Sequence, residues 1–138
     1  MSAAYRVQVR WPDIDALGHV NHSATLAYLE VGRDALLSEL GIRPDSYVIR
    51  RCEVDYLGEL RPEGGYAEYR LDALEAGRTS IRTTERLVHG DETAVSATFV
   101  LVMWDGAARR ARELTDEERR ALSIPHLHQT MTNTGRTI

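Results

Sequence analysis

The chain has 138 residues and no lysine: all 17 of its basic residues are arginine. Any mechanism built on a lysine Schiff base is therefore excluded. With 21 acidic residues and a formal net charge of -4, no basic run is present to meet a nucleic-acid backbone. Cysteine is nearly missing too. The lone Cys52 has no partner for an internal disulfide, so a reducing compartment is the default expectation. No apolar run reaches the eighteen or so residues that cross a bilayer, and the start of the chain lacks the basic-then-apolar order of a secretory signal. A cytoplasmic location without membrane insertion is expected.

What the chain does contain fits one ordinary globular domain, with 43% hydrophobic and 28% charged residues. Residues 1–125 are expected to form that domain, and the polar, aperiodic stretch 126–138 a flexible tail. Tyr5, Val7, Val9 and Trp11 alternate with Arg6, Gln8 and Arg10, the period of a half-buried strand. From about Ser23 to Leu40 a helix is predicted, apolar over most of its circumference, with Ser23, Glu30, Asp34 and Ser38 as its narrow polar stripe. Such a helix needs other structure around nearly all of it. Gly41 and Pro44 end it.

Strand patterns follow. Val48 to Leu57 carries Cys52, Val54 and Tyr56 on one face, and Ala67, Tyr69, Leu71 and Ala73 alternate with Glu68, Arg70 and Asp72. Thr79 to His89 is a weaker, polar strand, and Thr93 to Trp104 is the most apolar, suited to a central place in the sheet. Turn clusters separate them at 61–65, 76–78 and 90–92. Thr115 and Glu118 form a capping box for a short last helix. One long apolar helix followed by hairpin-joined strands implies an α+β domain: a curved antiparallel sheet of about five strands around a central helix.

The chemistry collects on the connection Trp11-Pro12-Asp13-Ile14-Asp15-Ala16-Leu17-Gly18-His19-Val20-Asn21-His22. It ends at a helix N-terminus, where unsatisfied N–H groups and the positive dipole end favour an oxyanion. A carboxylate beside such donors suits hydrolysis. Asp15 could act as general base or as nucleophile; it could also simply cap the loop. His22 offers its backbone N–H to an oxyanion and its imidazole to substrate or leaving group. Gly18 either brings the main chain close to a substrate or takes a positive φ. Asn21 either caps the helix or reaches the substrate, and His19 is counted with them as substrate-binding. Asp13 supports the loop. Asp13, Asp15, His19 and His22 are too irregularly spaced for a metal set, and no His-Glu-x-x-His helix occurs, so neither metal nor other cofactor is expected. Glu30 and Arg33, at i and i+3, read as an ion pair on one helix face.

These residues resemble the 4-hydroxybenzoyl-CoA thioesterase family of the hotdog fold. The likeness rests on the Asp13/Asp15 pair, Gly18, the run His19-Val20-Asn21-His22, and Tyr28-Leu29-Glu30-Val31-Gly32-Arg33; it spans roughly residues 5 to 105. The chain departs from it in carrying Asn21-His22 where many relatives have Asn-Asn, and in Gly64-Gly65. The resemblance implies an acyl-CoA thioesterase in which Asp15 is catalytic and the backbone N–H of His22 faces the thioester carbonyl. Arg78, with Thr79 and Ser80, falls where some members hold the coenzyme A phosphates. Acyl-CoA is the implied substrate, with acyl carrier protein as another possible carrier. Two other readings stay open: a hotdog enoyl-CoA hydratase or dehydratase, and a non-catalytic protein that binds an acyl group or acyl carrier protein. A homodimer, or a homotetramer, is expected because a lone sheet leaves an edge open.

Overall fold

The structure, a computed structural model, describes residues 3–123. Strand β1 (Ala3–Gln8) leads through a 3-10 turn at Trp11–Asp13 into helix α1 (His22–Glu39), and a second such turn at Pro44–Ser46 follows. Then come β2 (Tyr47–Tyr56), β3 (Tyr66–Ala76), β4 (Ser80–His89), β5 (Glu92–Asp105), the two-residue β6 (Arg110–Ala111) and α2 (Asp116–Ser123). All pairings are antiparallel, in the order β1-β3-β4-β5-β2, with β6 pairing the end of β5 at Trp104 and Asp105.

Local chemistry sets the ends of α1. The Asn21 side chain accepts the Ser23 N–H at 2.9 Å, satisfying one donor of the first turn. At the other end Gly41 N–H reaches the Ser38 carbonyl and Ile42 N–H the Leu37 carbonyl, both at 3.0 Å, a Schellman stop. Between them Tyr28, Leu29, Leu36 and Leu37 are buried against Val7, Tyr69, Leu71, Ile81 and Leu87 of the sheet, each worth about 1.5–3 kcal/mol relative to exposure. At Gly32 the helix comes close to β3. A Cβ there would lie 2.1 Å from Tyr69 Cγ, so any larger residue pushes the helix off the sheet.

Several expectations change. Trp11 is not on the inner face of β1: Pro12 breaks the extended run into the 3-10 turn, and Trp11 is left 82% exposed. Ala73 faces out, because a bulge between Leu71 and Ala73 shifts the alternation of β3. The polar strand β4, not only the apolar β5, lies inside the sheet, and its Thr83 and Glu85 are 0% exposed. The ion pair expected between Glu30 and Arg33 does not form. Arg33 turns inward and donates to both Glu85 oxygens, at 2.8 and 3.1 Å, while Glu30 is exposed. Helix α1 covers β1, β3 and β4 and is not surrounded: Leu26 and Val31 (48% exposed) lie open, as do Ile49, Cys52 and Tyr56 on the inner-facing side of β2. The capping box at Thr115 forms as expected. The expected tail, 126–138, lies outside the described residues.

Candidate active site

The connection between β1 and α1 folds as a miniature hairpin. Ile14 bridges Val20, Asn21 N–H donates to the Asp13 carbonyl at 2.8 Å, and Asp15 N–H donates to the His19 carbonyl at 3.0 Å. Asp15 therefore sits at its tip, and Gly18 N–H closes the turn onto the Asp15 carbonyl at 3.0 Å. Gly18 has φ +85, where a side chain is strained, although a Cβ would touch nothing within 4 Å. Its reason for being glycine is thus the turn and not a close approach.

Helix α1 holds the base of the hairpin. The buried Tyr28 hydroxyl donates to Asp13 Oδ2 at 2.8 Å and accepts the Arg10 N–H at 2.9 Å. Burial pushes that hydroxyl above its ordinary pKa, the Arg10 amide opposes this, and the Asp13 carboxylate adds to it. Tyr28 stays a protonated donor, and Asp13 is a supporting residue of the loop, as the sequence suggested.

Asp15 is held at one oxygen. Its Oδ1 accepts the Leu17 N–H at 2.9 Å, an Asx turn. Its Oδ2 accepts no hydrogen bond among the described residues and lies 3.8 Å from His19 Nδ1, with both side chains about a quarter exposed. His19 Nδ1 is 3.2 Å from the Val20 carbonyl. His22 is the first residue of α1, and its backbone N–H has no partner among the described residues. Its carbonyl accepts from the Tyr56 hydroxyl at 3.0 Å, and the two rings meet edge to face, 6.1 Å between centroids.

Asp15, His19 and His22 line one cavity of about 240 Å³, together with Leu17, Val20 and Thr25, with Tyr56 of β2, with Gly58, Glu59 and Leu60 of the following segment, and with Val95 of β5. A carboxylate, an imidazole and a helix N-terminus thus line one small void, a set of groups able to serve acyl transfer to water. Among the described residues, no group of three or more His, Cys, Asp or Glu side chains is arranged to hold a metal ion.

Residues 9–122 match the thioesterase-like superfamily. The chain belongs to that family. Membership places it among the thioesterases as an enzyme, and the curved sheet around α1 is their hotdog fold. A thioesterase from Thermus thermophilus, solved with coenzyme A and zinc, is 30% identical, with a TM-score of 0.76 over 88% of this chain and 98% of its own. A candidate thioesterase from Pseudomonas aeruginosa is 27% identical, with a TM-score of 0.77 over 88% and 98%. An aspartate-to-asparagine variant of 4-hydroxybenzoyl-CoA thioesterase, bound to 4-hydroxybenzoyl-CoA, is 15% identical, with a TM-score of 0.73 over 88% and 99%. That last likeness is one of fold. No curated protein matches the chain.

In this thioesterase-like chain the remaining sequence candidates divide. Asn21 is the N-cap of α1, and its side-chain oxygen is occupied by Ser23 N–H and Oγ. Arg78 and Thr79 lie at the β3–β4 turn, where Arg78 is exposed beside Glu113 at 3.6 Å and Thr79 accepts the Met103 N–H. Val95 and Met103 are eight residues apart on β5, so roughly 27 Å of strand separates this turn from the cavity within one protomer. Tyr56, Gly58, Glu59, Leu60 and Val95 were not among the sequence candidates. The pairing of Tyr56 with Val95 brings them in, and no local pattern announces a strand register.

Proposed function

We propose that this chain hydrolyses an acyl-CoA thioester to a carboxylic acid and free coenzyme A, with Asp15 as general base. The observation that carries this reading is that Asp15 and the first turn of α1 line the same cavity. With Oδ1 tied to Leu17, Oδ2 takes a proton from water as the water oxygen attacks the thioester carbonyl. The tetrahedral oxyanion accepts the His22 N–H, a contact typically worth about 10²–10³ in kcat. Collapse expels the thiolate, which recovers the proton from Asp15. His19 lies beside Asp15 as a positioning group, and Gly18 serves by shaping the turn that presents both.

The open side of the molecule suggests the assembly. The inner side of the edge strand β2 is uncovered, with Ile49 and Tyr56 exposed, and Tyr56 also lines the cavity. A second copy of this chain packed there gives a homodimer with two equivalent sites. Its partner brings an Arg78–Thr79 turn of its own, the route by which those residues would reach coenzyme A phosphates.

The test is thiol release from acyl-CoA by the wild-type chain and by Asp15→Asn. Turnover in the variant is expected to fall by about 10²–10⁴ with folding intact. Near-normal turnover would remove Asp15 from the mechanism. Consumption of an enoyl-CoA without thiol release would replace hydrolysis by hydration, and tight binding with no turnover would make the protein a carrier. Transfer of ¹⁸O from labelled water to the Asp15 side chain would replace the base by a nucleophile.

A further inference from the structure

On the core side the cavity is walled by Val20, Thr25, Leu60 and Val95, all buried, so this protomer supplies the wall against which an acyl group ends. Its volume of about 240 Å³ must hold the thioester carbonyl and the attacking water as well as the acyl group. Water occupies about 30 Å³ in the liquid, and an apolar void of about 150 Å³ takes one benzene. The space left suits a single ring or a chain of about six carbons. Asp15 and Glu59 both line the wall; Glu59 is exposed and lies 3.6 Å from the Arg61 guanidinium, so Asp15 is the carboxylate that an acyl group ending in its own carboxylate meets as like charge.

Gly58 adds a second argument. Its φ is outside the left-handed range, and a Cβ would meet only Ala94 Cα at 3.7 Å and the Thr93 carbonyl at 3.9 Å, ordinary contacts. Neither backbone conformation nor crowding requires glycine there, yet it lines the cavity. The missing side chain leaves volume to the occupant.

We infer that Leu60 and Gly58 determine acyl specificity, limiting the substrate to uncharged acyl groups no larger than one ring or a short chain. This rests on the hydrolase reading above. The experiment is thiol release by the full chain from acetyl-, butyryl-, hexanoyl-, benzoyl-, decanoyl- and succinyl-CoA. Hexanoyl- or benzoyl-CoA is expected to give the highest kcat/KM, with decanoyl- and succinyl-CoA at least about tenfold lower. Leu60→Ala is expected to raise decanoyl relative to hexanoyl, and Gly58→Val to depress benzoyl relative to acetyl. Where Leu60→Ala does not fold, Gly58→Val decides alone, since its first side-chain atom meets no close contact. Decanoyl-CoA turned over as well as hexanoyl-CoA by the wild-type chain overturns the inference, as does a benzoyl-to-acetyl ratio that Gly58→Val leaves unmoved. Thiol release from none of the six overturns the hydrolase reading and this inference with it.

Discussion

Glu85 and Asp15 each lie beside a basic side chain, and the chain treats them in opposite ways. Glu85 is fully buried, takes two hydrogen bonds from Arg33 and accepts the Thr83 hydroxyl as well. The Arg33 guanidinium also lies 3.9 Å over the Phe99 ring. Burial pulls the guanidinium down, but hydrogen bonds and charge from Glu85 more than offset this, so it stays above its ordinary range. Asp15 has one oxygen tied to a backbone amide and the other open toward a histidine 3.8 Å away. A buried carboxylate with both oxygens engaged by a guanidinium and a hydroxyl fixes structure and is closed to a reacting water. A half-engaged one at the rim of a cavity can take a proton.

Two substitutions test that contrast at full strength. Asp15→Asn keeps an oxygen for the Leu17 amide, so its stability is expected within about 0.5 kcal/mol of wild type while activity falls by about 10²–10⁴. Arg33→Met is expected to do the reverse: about 3–5 kcal/mol of stability lost because Glu85 is left buried and unpaired. Adding Glu85→Gln to Arg33→Met is expected to restore most of it, measured by denaturant unfolding. If Arg33→Met costs under about 1 kcal/mol, the pair is not what holds α1 to β4, and the contrast fails.

A smaller effect is expected at the cap. Asn21→Ala removes the acceptor for Ser23 N–H and is expected to cost about 1 kcal/mol. Because the same cap sets where α1 begins, thiol release is expected to fall with it, but less than in Asp15→Asn. An activity loss as large as that of Asp15→Asn would give the Asn21 amide a direct part at the substrate.

The contrast also explains what could be read in advance. Asp15, His19 and His22 lie within eight residues of one another, and local rules govern them: a glycine turn, an Asx turn, a cap, a helix start. Asn21, Gly41 and the Thr115–Glu118 box are legible for the same reason. Arg33 and Glu85 are 52 residues apart, and the choice of Glu85 over the nearby Glu30 depends on which side of α1 meets the sheet. Arg33 follows Gly32, whose contact with Tyr69 fixes that side. Tyr56 escaped for a related reason: it faces inward on β2, but α1 lies over β1, β3 and β4 and meets Tyr56 at its first residue, His22, so the ring borders the cavity and not the core.

Glu118 gives the finest test, as a partly exposed carboxylate engaged at both oxygens. Arg112 donates to both of its oxygens at 2.9 Å, and Thr115 N–H donates to Oε1 at 2.8 Å. The Arg112 hydrogen bonds hold Glu118 below the ordinary carboxylate range, burial opposes them, and the Thr115 amide adds to them. The folded state therefore binds its proton less readily than the unfolded chain. The resulting stability is fully present above the ordinary carboxylate pKa of about 4.3, and it is lost as pH falls through the lowered folded value. Glu118→Gln is expected to flatten the acid side of the Tm-against-pH curve and to leave neutral thiol release unchanged, since α2 does not line the cavity. Equal acid slopes in the two proteins would mean that Glu118 is no better engaged than Asp15, and hydrogen-bond count would no longer separate a structural acid from a reactive one.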